Sequence, residues 1–421
     1  MPRVVAIVAT CALAAGCGRG GELSGGANGA PASGSARPAV SSAAGGGGAS
    51  GGRGAARCGR AAVLPAGAAV QAWRLGAIRF VSADLGVGLT APQVECDVPL
   101  GDGRGTDAYF QAQPVRLATT RDGGREWVTS GSEIPAARQS GALEQVAAVD
   151  GARTWVVSDT GRLLVTGDAG ATWAAQPVPS PVVAAASAGG WLWALSCPPV
   201  TGNSCRPDVE RMRLAGGTWT ATLPGASPSP LEPQLDVLSA TDAVVLLQGT
   251  HPALASTTDG GVRWTVRAAP ADPKDMCRGD GDNVLFTAAD PRDWWLLCTG
   301  GAAAGSSTKA LMRSVDAGQT WTVAASIPSL TEPVRPGALP RQDATAIAAD
   351  SPEVLWIATL NTVWDSTNGG ATWRQALFDE QGTFGQFSVE SGTLAWLLAP
   401  DAGLWHTADG ITWRPVGDMA P

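Results

Sequence analysis

One tyrosine and two histidines in 421 residues narrow the nucleophilic and general-base chemistry open to this chain. The tyrosine is Tyr109, and the histidines are His251 and His406. Neither histidine lies in a nucleophile motif, so Ser–His–Asp chemistry is disfavoured. Charged groups are frequent in segments that read as loops. They include Asp107, Arg206, Asp208, Arg278, Arg335, Arg341 and Asp343, together with the aromatic pair Tyr109 and Phe110. Two carboxylates could act as acid and base. Arginines could clamp a carboxylate bidentately, and the aromatic pair could stack on a sugar or plug a partner. None of these residues forms a motif, and a solvated loop charge is the plainer reading of each. Asp280 to Asn283 superficially resembles a calcium loop but lacks the later Glu and the full spacing. C-x2-C spacing is absent, so zinc is not expected. No catalytic residue, metal or cofactor is assigned.

The elements that would position these groups are set by a repeat. Seven tryptophans, Trp127, Trp173, Trp219, Trp264, Trp321, Trp373 and Trp413, each close a short turn of consensus S/T-x-D-x-G-x-T-W. The aspartate position is held by Asp122, Asp168, Asp259, Asp316, Asn368 and Asp409. The third copy keeps only Gly216 to Trp219, and the last is one residue short. Successive tryptophans lie 46, 46, 45, 57, 52 and 40 residues apart. That period, with strand-like runs between turns, predicts four-stranded propeller blades. The short polar side chain accepts hydrogen bonds from turn N–H groups. The glycine supplies a positive φ, and the tryptophan buries apolar surface beside the turn. Apolar runs such as Gly86–Thr90, Thr154–Val157, Ala243–Leu247 and Leu394–Leu398 read as strands. The expected fold is all-β: a single seven-bladed β-propeller of four-stranded antiparallel blades over 58–421. Ring closure has two readings. Ala72 and Trp73 start a strand that pairs onto the last blade, or the tail from Thr412 to Val416 fills that slot.

These turns resemble the Asp-box, or BNR repeat, of sialidase-type propellers. In that family the box lies away from the active site, which implies a structural role for its aspartates. The resemblance does not extend to sialidase chemistry: the early Arg-Ile-Pro motif is absent, and Tyr109 lies in the first blade whereas the family's nucleophile comes late. Xyloglucan hydrolases with such boxes are built from two propellers, and this chain has length for one. Single propellers with degenerate boxes and short N-terminal anchors resemble the photosystem II stability and assembly factor group and its non-photosynthetic relatives. That resemblance covers about residues 70–418 and implies a non-catalytic scaffold.

The N-terminus reads as an export segment. Arg3 precedes an apolar run from Val4 to Ala15, shorter than the roughly 18 residues that span a bilayer. Leu13 to Cys17 resembles a bacterial lipobox, with Leu13 one residue early. The expectation is a signal peptide over 1–16 and lipidation at Cys17. A Gly/Ala/Ser-rich flexible tether follows over 17–57. The protein would then be anchored outside the cytoplasmic membrane or on the cell surface, with lipid its only membrane contact. Six further cysteines in an exported chain point to disulfides. Chain order favours Cys58–Cys96, Cys197–Cys205 and Cys277–Cys298 among the fifteen possible connectivities. Without Arg3 the balance is 28 basic against 37 acidic residues, net −9, which argues against a nucleic-acid partner.

Loop lengths sort the two faces of the expected ring. Turns between strands one and two, and the boxes between three and four, are short. The long excursions are 91–113, 197–210 and 299–308 between strands two and three, and 174–181, 222–233, 267–281 and 324–342 between blades. Long loops on a rigid scaffold usually carry function. The sequence therefore predicts a monomeric binding module that docks a protein or glycan on the long-loop face. An extracellular glycoside hydrolase is the alternative.

Overall fold

A computed structural model describes most residues between Leu64 and Gly417, with only the backbone described for the hairpin at 93–112. Residues 1–63, which hold the expected export segment, Cys17, the tether and Cys58, lie outside the described residues.

Seven antiparallel sheets follow one another along the chain. Blade 1 comprises Leu75–Phe80, Gly86–Thr90, Arg116–Thr120 and Trp127–Glu133. Blade 2 comprises Leu143–Ala148, Thr154–Ser158, Leu163–Thr166 and Ala174–Gln176. Blade 3 runs through Val182–Ala188, Trp191–Ser196, Asp208–Arg213 and the two-residue strand Thr220–Ala221. Blade 4 has Gln234–Val237, Ala243–Leu247, Ala253–Thr257 and Thr265–Ala268. Blade 5 is the tallest, with Val284–Ala288, Trp294–Ala303, Ser306–Ser314 and Thr322–Ile327. Blades 6 and 7 are Ala344–Ala349, Leu355–Thr359, Thr362–Ser366 and Arg374–Phe378, then Gln386–Ser391, Leu394–Ala399, Gly403–Thr407 and Arg414–Val416. The first strand of each blade touches the first strand of the next, and blade 7 returns to blade 1. The molecule is a seven-bladed β-propeller whose first strands line the central channel.

Burial explains the composition of the strands. Second strands are covered on both faces by neighbouring blades, so Ala243–Leu247 and Leu355–Thr359 are buried throughout and read as continuous apolar runs. Fourth strands lie at the rim, and Thr265–Ala268 and Arg374–Phe378 stay largely exposed. The core is split into packets between blades. One joins Ala346, Trp356 and Ala358 of blade 6 to Phe387, Leu397 and Trp413 of blade 7.

The ring closes without strand exchange. The tail strand Arg414–Val416 completes blade 7. Ala72–Arg74 forms a single 3-10 turn that packs beside the second and third strands of blade 7 rather than pairing with them. Just upstream, Ala69–Val70 pairs with Trp127 and Val128 as a fifth, outermost strand of blade 1. The seam between blades 7 and 1 is held by side chains. Phe80 stacks on Trp396 with ring centres 3.8 Å apart. Trp396 Nε1 donates to the Gly123 carbonyl at 3.2 Å, and Leu398 and Leu404 pack in the same cluster.

Three expected loops take other forms. The excursion at 91–113 contains a two-stranded hairpin, Gln93–Pro99 with Thr106–Ala112. Residues 299–308 are not a loop: the second and third strands of blade 5 continue to Ala303 and Ser306 around Gly305, whose φ is 72°. The connection after Ile327 leaves the long-loop face and descends the side of the ring. There the Gly337 carbonyl accepts the Trp373 N–H at 3.0 Å, beside the blade 6 box.

Candidate functional site: two faces and a charged channel

The box turns use their own polar groups. In blade 1 the Asp122 carboxylate accepts from Thr120 Oγ1 at 2.8 Å and from the Arg125 and Glu126 N–H groups at 3.0 Å. Thr120 Oγ1 in turn accepts the Gly124 N–H, and Trp127 Nε1 donates to the Gly124 carbonyl. The carboxylate and hydroxyl bonds recur around Asp168, Asp259, Asp316 and Asn368, whereas the indole bond recurs at Trp373 and is not made by Trp173, Trp264 or Trp321. The shortened last copy keeps the Asp409 bonds to Ile411 and Thr412. Two consecutive residues of the turn adopt positive φ, as Gly123 and Gly124 do at 75° and 95°. In blades 2 and 5 the first of them is Ala169 or Ala317, which tolerates φ of 56° or 59°. In blades 1, 2, 4, 5 and 6 the box also hooks the one–two turn of its own blade, as Gly123 N–H does on the Asp84 carbonyl. Tryptophans of the second strands then reach one blade onward: Trp295 Nε1 donates to Gly369 and Trp356 Nε1 to Gly410. The boxes are thus joints between blades.

This wiring has a titration signature. Hydrogen bonds from the Thr172 hydroxyl and N–H hold Asp168 down to about 2, and those from Thr320 do the same for Asp316. A carboxylate depressed in the folded state adds stability above its unfolded pKa, and that stability is lost as pH falls through the folded value. We expect the melting temperature to fall steeply between about pH 4 and 2. Asp168→Asn and Asp316→Asn together should flatten that descent. An acid titration of the melting temperature checks it, and an unchanged slope would mean that the boxes do not set acid stability.

The long-loop face is built from structured pieces. Disulfides Cys197–Cys205 and Cys277–Cys298 brace it in blades 3 and 5. Cys58–Cys96 lies outside the described residues. Arg206 is exposed beside the first bridge. Asp208 begins the third strand of blade 3, not a loop, because Ser196 pairs with it across the sheet. Glu210, two residues on, is buried, and burial together with the nearby Asp208 raises its pKa. Arg341 and Asp343 are drawn to blade 5. Lys309, fully buried, donates from Nζ to the Arg341 and Gln342 carbonyls at 2.8 and 2.7 Å. Burial pulls the Lys309 ammonium down to about 8 while Asp343 opposes that shift. Arg335 stays exposed in the descending connection, away from these groups. Asp107, Tyr109 and Phe110 lie on Thr106–Ala112, described by backbone alone, and Arg278 lies outside the described residues. The candidate residues therefore spread over blades 1, 3, 5 and 6 rather than converging. Leu360 and Phe378 add exposed apolar surface at the upper rim of blade 6.

The channel holds charges that loop reasoning missed. Polar side chains of one first strand satisfy the open edge of the next: Gln386 Oε1 accepts from Ile78 N–H and Ser388 Oγ from Phe80 N–H, both at 2.9 Å. Gln234 repeats this toward Phe286 at 3.4 Å. Asp236 then stands where Ser388 stands. The Ala288 N–H approaches its carboxylate, yet neither carboxylate oxygen closes a hydrogen bond of ordinary geometry. Burial pushes Asp236 up to about 8, against the pull of the Ala288 N–H and of Arg79. Arg79 belongs to blade 1, Asp236 to blade 4 and Glu390 to blade 7, so their fields meet across the channel. Burial lowers Arg79 to about 10, with Asp236 and Glu390 opposing. The available signal was a charged residue interrupting an apolar first strand, as in Ile78-Arg79-Phe80 and Leu235-Asp236-Val237. Among the described residues no three His, Cys, Asp or Glu side chains gather as a metal site.

No family model and no curated protein matches the chain. Solved structures do. YCF48 bound to a D1 peptide is 15% identical, with 84% of this chain and 100% of that one covered at a TM-score of 0.53. YCF48 from Cyanidioschyzon merolae is 13% identical over 78% and 93%, at 0.49. The GH74 xyloglucanase of Xanthomonas campestris is 14% identical over 81% and 79%, at 0.30. The likeness is one of fold.

Proposed function

We propose that this propeller is a non-catalytic binding scaffold that docks a protein on its long-loop face, and that it is exported and lipid-anchored through Cys17. The observation that carries the reading is the asymmetry of the two faces. Box aspartates are consumed by their own turns. The opposite face carries a hairpin, two disulfide-braced segments and exposed Val200, Leu360 and Phe378. Structured projections with exposed apolar residues are what partner surfaces use. A solved propeller of the same fold, at a TM-score of 0.53, was captured with a peptide bound.

The glycoside hydrolase alternative has one observation in its favour, the Asp208 and Glu210 carboxylates with Glu210 titrating high. Both sit on a third strand, two strands out from the channel, and Glu210 is buried within the blade.

Photo-crosslinking from single positions tests the scaffold reading in the native membrane. Crosslinkers at Arg206 and Leu360 should capture one shared protein, and those at Val262 and Ile411 on the box face should not. Capture from the box face alone would overturn the assignment of the face. A Glu210-dependent release of sugar from chromogenic glycosides would replace the scaffold by the hydrolase.

A further inference from the structure

Blade 3 is the blade whose box has lost its aspartate, and the neighbourhood of that loss is basic. Ala215, Gly216, Gly217 and Thr218, all exposed, replace the acidic turn. Beside them Trp191 carries two guanidiniums: Arg211 lies 4.2 Å and Arg213 4.5 Å from its ring centre. Register explains the cluster. Trp191 pairs directly with Arg213, and Trp193 with Arg211, so all four side chains leave one face of the sheet. Arg153 of blade 2 joins from the other side, donating to the Leu214 carbonyl at 3.0 Å.

We infer that this corner of the box face is a binding site for a carboxylated saccharide. Arg211 and Arg213 are like charges: burial first, and then the neighbouring Arg213 charge, lower the Arg211 pKa. Stacking on one tryptophan holds them together. Among the described residues neither forms an ion pair with a carboxylate. The nearest acidic groups are engaged elsewhere. Asp259 of blade 4 accepts from its own Arg263, Asp242 accepts from Ser239 and Thr241, and Asp150 accepts the Ala152 and Arg153 N–H groups. Asp259 still attracts Arg211 at a distance. Gly260 of blade 4 leaves the space that the Arg211 guanidinium occupies, since a side-chain carbon there would collide with it. Arg211 Nη1 already donates to the Ala240 carbonyl at 3.5 Å, and the exposed Arg213 presents its guanidinium edge as paired donors, the geometry that matches a planar carboxylate.

The floor favours a sugar over a peptide. Ala215, Gly216 and Gly217 are exposed and offer none of the large apolar anchors that protein interfaces rely on, and a pyranose ring can approach glycine backbone closely. The protein as a whole is acidic, at net −8, so attraction here is local.

Oligogalacturonate titrated into the intact protein tests the site by calorimetry, with a ten-residue polyglutamate peptide and a heparin octasaccharide as parallel probes. The expected result is saturable oligogalacturonate binding that weakens with salt. Arg211→Gln with Arg213→Gln should weaken it at least about tenfold, while Arg414→Gln, an exposed arginine of blade 7, should leave it unchanged. The single Arg213→Gln variant, at an exposed side chain, should weaken binding at an unaltered melting temperature and so separates ligand loss from misfolding. No binding, equal binding by the double variant, or tighter binding of the peptide or heparin would overturn the inference. None of these results bears on crosslinking from the opposite face.

Discussion

Trp396→Ala is expected to remove about 3–5 kcal/mol of stability, the cost of deleting a fully buried tryptophan. The ring has no exchanged strand to fall back on at this seam. Its closure rests on the Phe80–Trp396 stack, the bond from Trp396 to the Gly123 carbonyl and the surrounding leucines. Against a typical net stability of about 5–15 kcal/mol, that loss is large. Val323→Ala, on the exposed rim of blade 5, should change stability by less than about 0.5 kcal/mol. Urea unfolding of the two variants measures the contrast directly. Equal losses would show that the seam is not where closure is decided.

The second large effect is expected at Asp236. Its folded pKa, about 8, lies far above that of an unfolded aspartate. Between about pH 4 and 8 the unfolded chain therefore holds its carboxylate ionised while the folded protein keeps the proton. Folding takes up a proton over that window, so stability falls as pH rises through it and levels off above about 8. The full span amounts to several kcal/mol. Asp236→Asn keeps the shape and removes the proton uptake. It should stabilise the protein at pH 8, leave it near wild type at pH 4 and flatten the slope between. Arg79→Met should do the reverse at pH 8, because it takes away the cation that offsets the buried carboxylate. Together with acid loss from the boxes below about pH 4, these variants place the stability maximum of the wild type near pH 4 to 5. A maximum at pH 8 would show that Asp236 stays ionised in the fold.

Blade number and most strands were legible because both signals are local. The box tryptophan is a fixed residue in a fixed turn, and second strands such as Ala243–Leu247 are buried on both faces and so leave an unbroken apolar run. Closure was legible only as two alternatives, of which the tail strand holds. Ala72 and Trp73 look like the start of a strand, but pairing is decided by which edge lies within reach, and blade 7 already owns Arg414–Val416. The continuation of blade 5 to Ala303 and Ser306 was hidden for a related reason: Gly300, Gly301 and three alanines carry weak strand preference, and cross-strand pairing overrides it. The candidate site was legible only as a set of loops. Asp208 proved to be a strand residue, and the descent of the connection through Gly337 depends on contacts with blade 6 that no spacing announces. Channel charges and the Arg–Trp cluster needed the tertiary structure, since residues from blades 1, 4 and 7 meet only once the ring closes and those from blades 2, 3 and 4 only once these blades stack.

Because every blade is one uninterrupted stretch of chain, the order in which the blades are synthesised is not built into the ring. Leu64 and Val416 pack on the same cluster at the seam, and Gly417 lies against Arg125 of the first box. The two ends of the propeller are neighbours. A circular permutant that joins them with a short linker and opens the chain between Ala268 and Val284 should therefore rebuild the same seven blades, with the old seam turned into an ordinary covalent connection and a new one formed between blades 4 and 5.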